Sequence, residues 1–370
     1  MASFIVLNAF RRKKQGISTM VSLYSSSTIK TSLLSSFLPL RSPPPISAAS
    51  RGVSMSTNRD SHGSSSQVAE PFFRSVLGQM ETVYLNRNPT PKSVLELVRS
   101  VDDDEQLCYD HLAFRTFGIG GYGIESLASF FLDYGYTQMD ELRFPAKKLR
   151  ALWFAPPHAS SAVPGGSGVN GPLPRVFISE LLVEQMSTET QDVIRKYTET
   201  SPNGRKYAAL SSALGSLPWE KPLSSEFEQL AKESEYAAWT LANGYALNHV
   251  TISVHRLKSH LNKIKKLNQF LEEKGFKLNS EGGVLKVSPD GGLLQSSTVA
   301  DSISFKFSDG VTKSIPCSYI EFAERLVLPQ FQNVPESEIK ECHRRDGFEV
   351  GNADKIFEST NQEQLSRRTG

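Results

Sequence analysis

With 370 residues, 39% of them hydrophobic, the chain is long enough for one large domain, or two fused units, around a sizeable core. Its formal charge of +2 conceals an asymmetry: Met1 to Arg59 holds no Asp or Glu, while Arg11, Arg12, Lys13, Lys14, Lys30, Arg41, Arg51 and Arg59 supply eight cations. The remainder carries 33 basic against 39 acidic residues, a balance of −6, which argues against the clustered Lys and Arg of a nucleic-acid or anionic-membrane surface.

The first segment, residues 1–59, is rich in Ser, contains "RSPPPISAAS" and has no apolar run long enough to span a bilayer. Total exclusion of acids with abundant Ser is the composition of an organelle transit peptide. Serine and proline point to a plastid; the early "RRKK" leaves a mitochondrial address as the alternative. Residues 60–345 then read as one catalytic domain, and 346–370 as a flexible C-terminal tail. Three cysteines, Cys108, Cys317 and Cys342, widely spaced and without a CxxC pair, support neither a disulfide framework nor a thiolate zinc site.

Within the body, "PFFRSVLGQMETVYL" and "KSVLELVRSV" have helical periodicity. A strand at "CYDHLAFRTF" follows, then a helix at "IESLASFFLDYGY" and strands near "MDELRF", "RALWFAP" and "PRVFISELLV". The Gly, Ser and Pro of His158 to Pro174 form a loop. Residues 187–243 read as a helical insertion broken by the turn in "TSPNGRKY". The pattern then starts again: the strand "NHVTISVH", a long helix "LKSHLNKIKKLNQFLEEKGF", and strands at "GVLKVSP", "SISFKFSDG" and "IPCSYIEFAER". Two βαβββ units, about 106–186 and 245–328, are therefore expected in an α+β fold, with a curved sheet around a polar pocket.

Both opening strands carry polar residues where a core strand should be apolar. In the first, His111 and Arg115 share a face and stand roughly 13 Å apart along the strand, the scale of a small extended ligand. In the second, His249, Thr251, Ser253 and His255 oppose an almost apolar face. The last strand sets Glu321 among aromatic residues in "SYIEFAER", where a lone carboxylate is expensive unless it meets a cation or metal. Two imidazoles and one carboxylate leave coordination positions open and suit non-heme Fe(II) handling O2 with a chelating substrate. A zinc or manganese lyase or isomerase would use the same ligands, and a catalytically silent scaffold is the reading outside the enzyme class. Glu180, in "FISEL", matches Glu321 by repeat logic; it is read as a supporting carboxylate or salt-bridge partner rather than a fourth ligand. His255 reads as a surface or supporting residue, and His158, His260 and His343 receive no role.

Taken together, "DHLAFRTF", "LNHVTISV", "GLLQSST" and "YIEFAER" resemble the motifs of the 2-oxoadipate dioxygenase/decarboxylase family, over roughly residues 70–345, and the leader resembles that of its plant plastid branch. The resemblance implies a vicinal-oxygen-chelate-like fold with His111, His249 and Glu321 as ligands of Fe(II). It implies Arg115 as the residue binding a substrate carboxylate and Gln295 as a further substrate contact. The implied substrates are O2 and a 2-oxo dicarboxylic acid, 2-oxoadipate, oxidatively decarboxylated to 2-hydroxyglutarate and CO2 in lysine breakdown.

Overall fold

The structure, a computed structural model, describes residues 64–101, 107–157, 166–200 and 204–366. The chain divides into Met1–Arg59 and Asp60–Gly370, and the described residues all belong to the second unit. The acid-free leader and His158, with the first part of its loop, lie outside them.

Two helices open the unit, α1 (Ser64–Arg87) and α2 (Pro89–Val101). They bury Phe73, Leu77, Met80, Val94, Leu95 and Val98 in the core. The first repeat follows as β1 (Tyr109–Phe117), α3 (Ile124–Asp133), β2 (Thr137–Phe144), β3 (Leu149–Ala155) and β4 (Arg175–Leu181). Four helices intervene, α4 (Thr188–Glu199), α5 (Ala208–Leu214), α6 (Ser224–Glu233) and α7 (Glu235–Asn243). The second repeat is β5 (Leu247–Ser253), α8 (Ile264–Glu273), β6 (Lys286–Val287), β7 (Leu293–Ser297), a side hairpin of β8 (Ser302–Lys306) and β9 (Thr312–Pro316), and finally β10 (Tyr319–Arg325). After it come α9 (Val350–Phe357) and α10 (Gln362–Ser366). No helix among the described residues is long and apolar enough to cross a membrane.

Eight strands form one sheet in the order β2-β3-β4-β1-β5-β10-β7-β6. Read outward from the centre, the halves match: β1 and β5 are antiparallel neighbours, and each is flanked by a parallel partner, β4 or β10, and then by antiparallel strands. The central strands are buried along their whole length, as strands covered on both faces must be.

Three expectations need correction. "SISFKFSDG" is not a strand of the repeat, because β8 pairs with β9 outside the main sheet. Its alternation of polar and apolar residues marks a half-exposed hairpin, whereas the true third strand, "LLQSS", is almost wholly buried despite its polar side chains. The second long helix is shorter than its periodicity: it starts at Ile264, whose backbone N–H donates to the Glu324 carboxylate at 2.8 Å, a contact that fixes where the helix begins. Finally, residues 346–366 are not a flexible tail. Asn352, Ile356, Ser359 and Thr360 are buried, and the rings of Phe348 and Phe357 lie tilted against Phe177 of β4, centres 5.0 and 6.5 Å away.

Candidate metal centre

β1, β5 and β10 lie side by side, and their register assembles the site. His111 stands opposite Thr251, and Thr251 opposite Glu321, so the three form one row across three strands. His249, two residues earlier on β5, falls on the same face. His249 Nε2 lies 3.0 Å from Glu321 Oε2 and 3.4 Å from His111 Nε2, and His111 Nε2 lies 3.7 Å from the same carboxylate oxygen. All three residues are buried and offer donor atoms within 4.8 Å of one another.

Each histidine is aimed by the residue before it. Asp110 Oδ2 lies 2.9 Å from His111 Nδ1, and Asn248 Oδ1 lies 3.0 Å from His249 Nδ1. These contacts place the protons on Nδ1 and leave the Nε2 lone pairs facing inward. Asp110 is in turn clamped by Arg325, whose Nε and Nη2 donate at 2.6 and 2.9 Å. Gln295 Nε2 donates to Glu321 Oε1 at 2.6 Å, and Asn352 Nδ2 donates to Gln295 Oε1 at 3.0 Å. Gln295, expected from the resemblance to touch substrate, also lines the cavity, but its amide is engaged on both sides.

Burial pushes the Glu321 carboxyl up, yet His111 and His249 pull it down to about 2. Burial likewise pushes both imidazoles down, and the neighbouring carboxylates outweigh it only for His111, which is raised, while His249 stays lowered. Asp110 is held well below the usual carboxylate range by Arg325 and Arg175 against its burial. With both Nδ1 atoms engaged as donors, two imidazole lone pairs and a carboxylate converge, and the Thr251 hydroxyl lies 3.0 Å from His111 Nε2. A divalent cation satisfies that arrangement, and three protein ligands leave positions for other groups.

Apolar side chains wall the centre, among them Phe177, Tyr319, Phe348, Ile356 and Phe357. The cavity there has a volume of about 20 Å³, room for little more than one water. Phe357 also borders a second cavity of about 250 Å³, onto which Arg115 opens. The Arg115 guanidinium is buried and sits 5.0 Å from the ring centres of Tyr236 and Trp239 and 5.6 Å from that of Phe357. Its Nη2 reaches only the Phe357 carbonyl, at 3.4 Å. Among the described residues no carboxylate lies within ion-pair distance of it, so an aromatic cage takes the place of a counter-ion.

The register also revises Glu180. Because His111 pairs with Arg175 and His249 with Tyr319, Phe177 is the repeat equivalent of Glu321, and Glu180 that of Glu324. Glu180 accepts from Ile124 N at 2.9 Å and from Arg150 Nε at 2.9 Å, capping α3 as Glu324 caps α8. His255 lies beside Glu341, 3.1 Å away, and His343 stacks on Phe331. Sequence reasoning missed Asp110, Asn248, Asn352, Arg325 and the C-terminal aromatics. The first two left a signal, since each ligand histidine is preceded by a residue with a side-chain carbonyl or carboxylate oxygen.

Fold and site together define a protein of the paired βαβββ class with a candidate metal centre. A structure of a glyoxalase-superfamily protein from Ralstonia eutropha shares this fold, with a TM-score of 0.58 at 18% identity over 75% of this chain and 86% of that one. The family model for 2-oxoadipate dioxygenase/decarboxylase matches residues 76–334, and the chain belongs to that family. A chloroplastic 2-oxoadipate dioxygenase/decarboxylase from Arabidopsis thaliana is 89% identical over 87% of both chains. The crystal structure of a hydroxyglutarate synthase from Oryza sativa in complex with 2-oxoadipate superposes with a TM-score of 0.79 at 62% identity, covering 86% of this chain and all of that one.

Proposed function

We propose that this protein is an Fe(II)-dependent dioxygenase of the plastid that converts 2-oxoadipate and O2 to 2-hydroxyglutarate and CO2, a step in lysine breakdown. The observation that carries the reading is the convergence of His111, His249 and Glu321 on one open coordination site beside an uncompensated buried arginine. The printed names of the Arabidopsis and rice relatives support the substrate, and the chloroplastic designation supports the address.

His111, His249 and Glu321 would hold the metal, which would supply the redox chemistry that couples O2 to oxidation of the bound 2-oxo acid. The protein's own part is positioning. Asp110 and Asn248 keep both imidazoles in the ligating tautomer, and Gln295 keeps one Glu321 oxygen turned inward. Arg115 receives the far carboxylate, C6, by charge-assisted hydrogen bonds in a dry pocket, where such bonds are strong. Phe177, Phe348 and Phe357 exclude water, so that oxidation is confined to the bound acid.

The test is anaerobic loading with Fe(II), addition of 2-oxoadipate and then O2, and identification of products by mass spectrometry. Formation of 2-hydroxyglutarate and CO2, abolished in His111→Ala and Glu321→Ala, is the expected result. A folded, iron-loaded protein that consumes no 2-oxoadipate would overturn the reading.

A further inference from the structure

Tyr319 is a buried residue at the centre whose polar group the site leaves unexplained. Its side chain is fully buried, and its ring stacks on His249 with centres 4.7 Å apart and planes 26° from parallel. The ring therefore has a packing role, but the hydroxyl has no hydrogen-bond partner. A buried, unpaired hydroxyl is costly, and a folded chain keeps one where something else completes it. The second orphan nearby is Arg115 Nε, equally buried and equally without a partner. The strand register brings the two residues to one face: Tyr319 pairs with His249, His249 pairs with Ala113, and Arg115 is two residues further along β1 on the same side. A buried guanidinium N–H and a buried phenol hydroxyl, neither with a hydrogen-bond partner, can both donate to one carboxylate.

Resting on the assignment of Arg115 to the far carboxylate of the 2-oxo acid, we propose that Tyr319 is a specificity-determining residue, whose hydroxyl donates to that same carboxylate beside Arg115 Nε. The two groups are then paired only when a dicarboxylate is bound. An acid of the same chain length lacking the second carboxylate leaves both donors orphaned, which is how a site built from hydrogen-bond donors rejects an analogue. The two halves of the proposed contact come from different repeats, Arg115 from β1 and Tyr319 from β10.

Tyr319→Phe removes the hydroxyl and keeps the ring on His249. The measurements are anaerobic calorimetric titration of the Fe(II)-loaded protein with 2-oxoadipate and with 2-oxohexanoate, steady-state kinetics with both, and the thermal midpoint. The wild type is expected to favour the diacid. In the variant, 2-oxoadipate affinity should fall about 10- to 100-fold, with KM rising to match and kcat changing less, while 2-oxohexanoate binding stays as it was. The midpoint should stay or rise, because the lost hydroxyl had no partner in the free protein. An unchanged preference for the diacid in the variant would overturn the proposal, as would a fall in midpoint, which would give the hydroxyl a structural duty. Failure of the underlying reading looks different: the wild type itself would then bind neither acid.

Discussion

His111 and His249 occupy equivalent places in the two repeats, and each is aimed by the side chain preceding it. The third candidate ligand, Glu321, is aimed differently, through a chain in which Asn352 holds Gln295 and Gln295 holds Glu321. Partners of this kind usually tune metal affinity by about 10- to 100-fold. Gln295→Leu should therefore weaken Fe(II) binding by that range, read by competition with a chromogenic chelator, and Asn352→Ala should weaken it less because Gln295 remains. Equal affinity in Gln295→Leu would mean that Glu321 is oriented by strand geometry alone. Lys286 is a different residue-scale case. Burial lowers it to about 8 from an ordinary 10.5, although Glu321 pulls the other way, and its ammonium donates to the Asn279 carbonyl at 2.7 Å. Between those two values the unfolded chain binds more protons, so this group's contribution makes stability rise with pH. Comparing wild type with Lys286→Met in denaturant at pH 7 and 9.5, the difference should shift by about 1–2 kcal/mol in favour of the wild type.

At the scale of elements, the repeats share a device that periodicity does not reveal. Neither α3 nor α8 has a side-chain cap from its own N-cap residue; a glutamate on the neighbouring parallel strand does the work instead, Glu180 for one and Glu324 for the other. A Cβ at Gly123 would come within 2.2 Å of Glu180 Oε2, so the approach requires glycine there. Glu324→Gln should cost about 1 kcal/mol through the lost charge at the helix N-terminus, measured by denaturant unfolding, and Gly123→Ala should cost more because the carboxylate must move. The ligand strands were legible because His111, His249 and Glu321 are polar residues at inward positions of otherwise apolar strands. Glu180 was misplaced because "FISEL" and "YIEFAER" align by eye three residues away from their hydrogen-bond register. The C-terminal segment was illegible for a related reason: α9 is eight residues long, too short to show a periodicity, and its anchors are the isolated Phe348, Ile356 and Phe357. Phe348 packs edge-on to His111, ring centres 4.8 Å apart. Ending the chain at 345 should strip one wall from the centre, and chelator competition should show weakened metal binding together with a lower thermal midpoint.

At the scale of the whole unit, the candidate ligand set is divided unequally between the repeats. The first contributes His111 alone and sets Phe177 where the second has Glu321; the second contributes His249 and Glu321. Neither half carries three ligands, so a bound metal ties the halves across the β1 and β5 pair. Metal that binds the folded state and not the unfolded one stabilises by about 2.7 kcal/mol at a concentration one hundred times its dissociation constant. In a unit of this size that corresponds to a rise in thermal midpoint of at least a few degrees. Zn(II) serves as a redox-inert probe, because the same ligands bind it. The rise should vanish with a chelator, and it should vanish equally in His111→Ala and in Glu321→Ala, although these residues belong to different repeats. If His111→Ala kept the full shift, the metal would be held by the second repeat alone, and the first would be a lid over the centre rather than part of it.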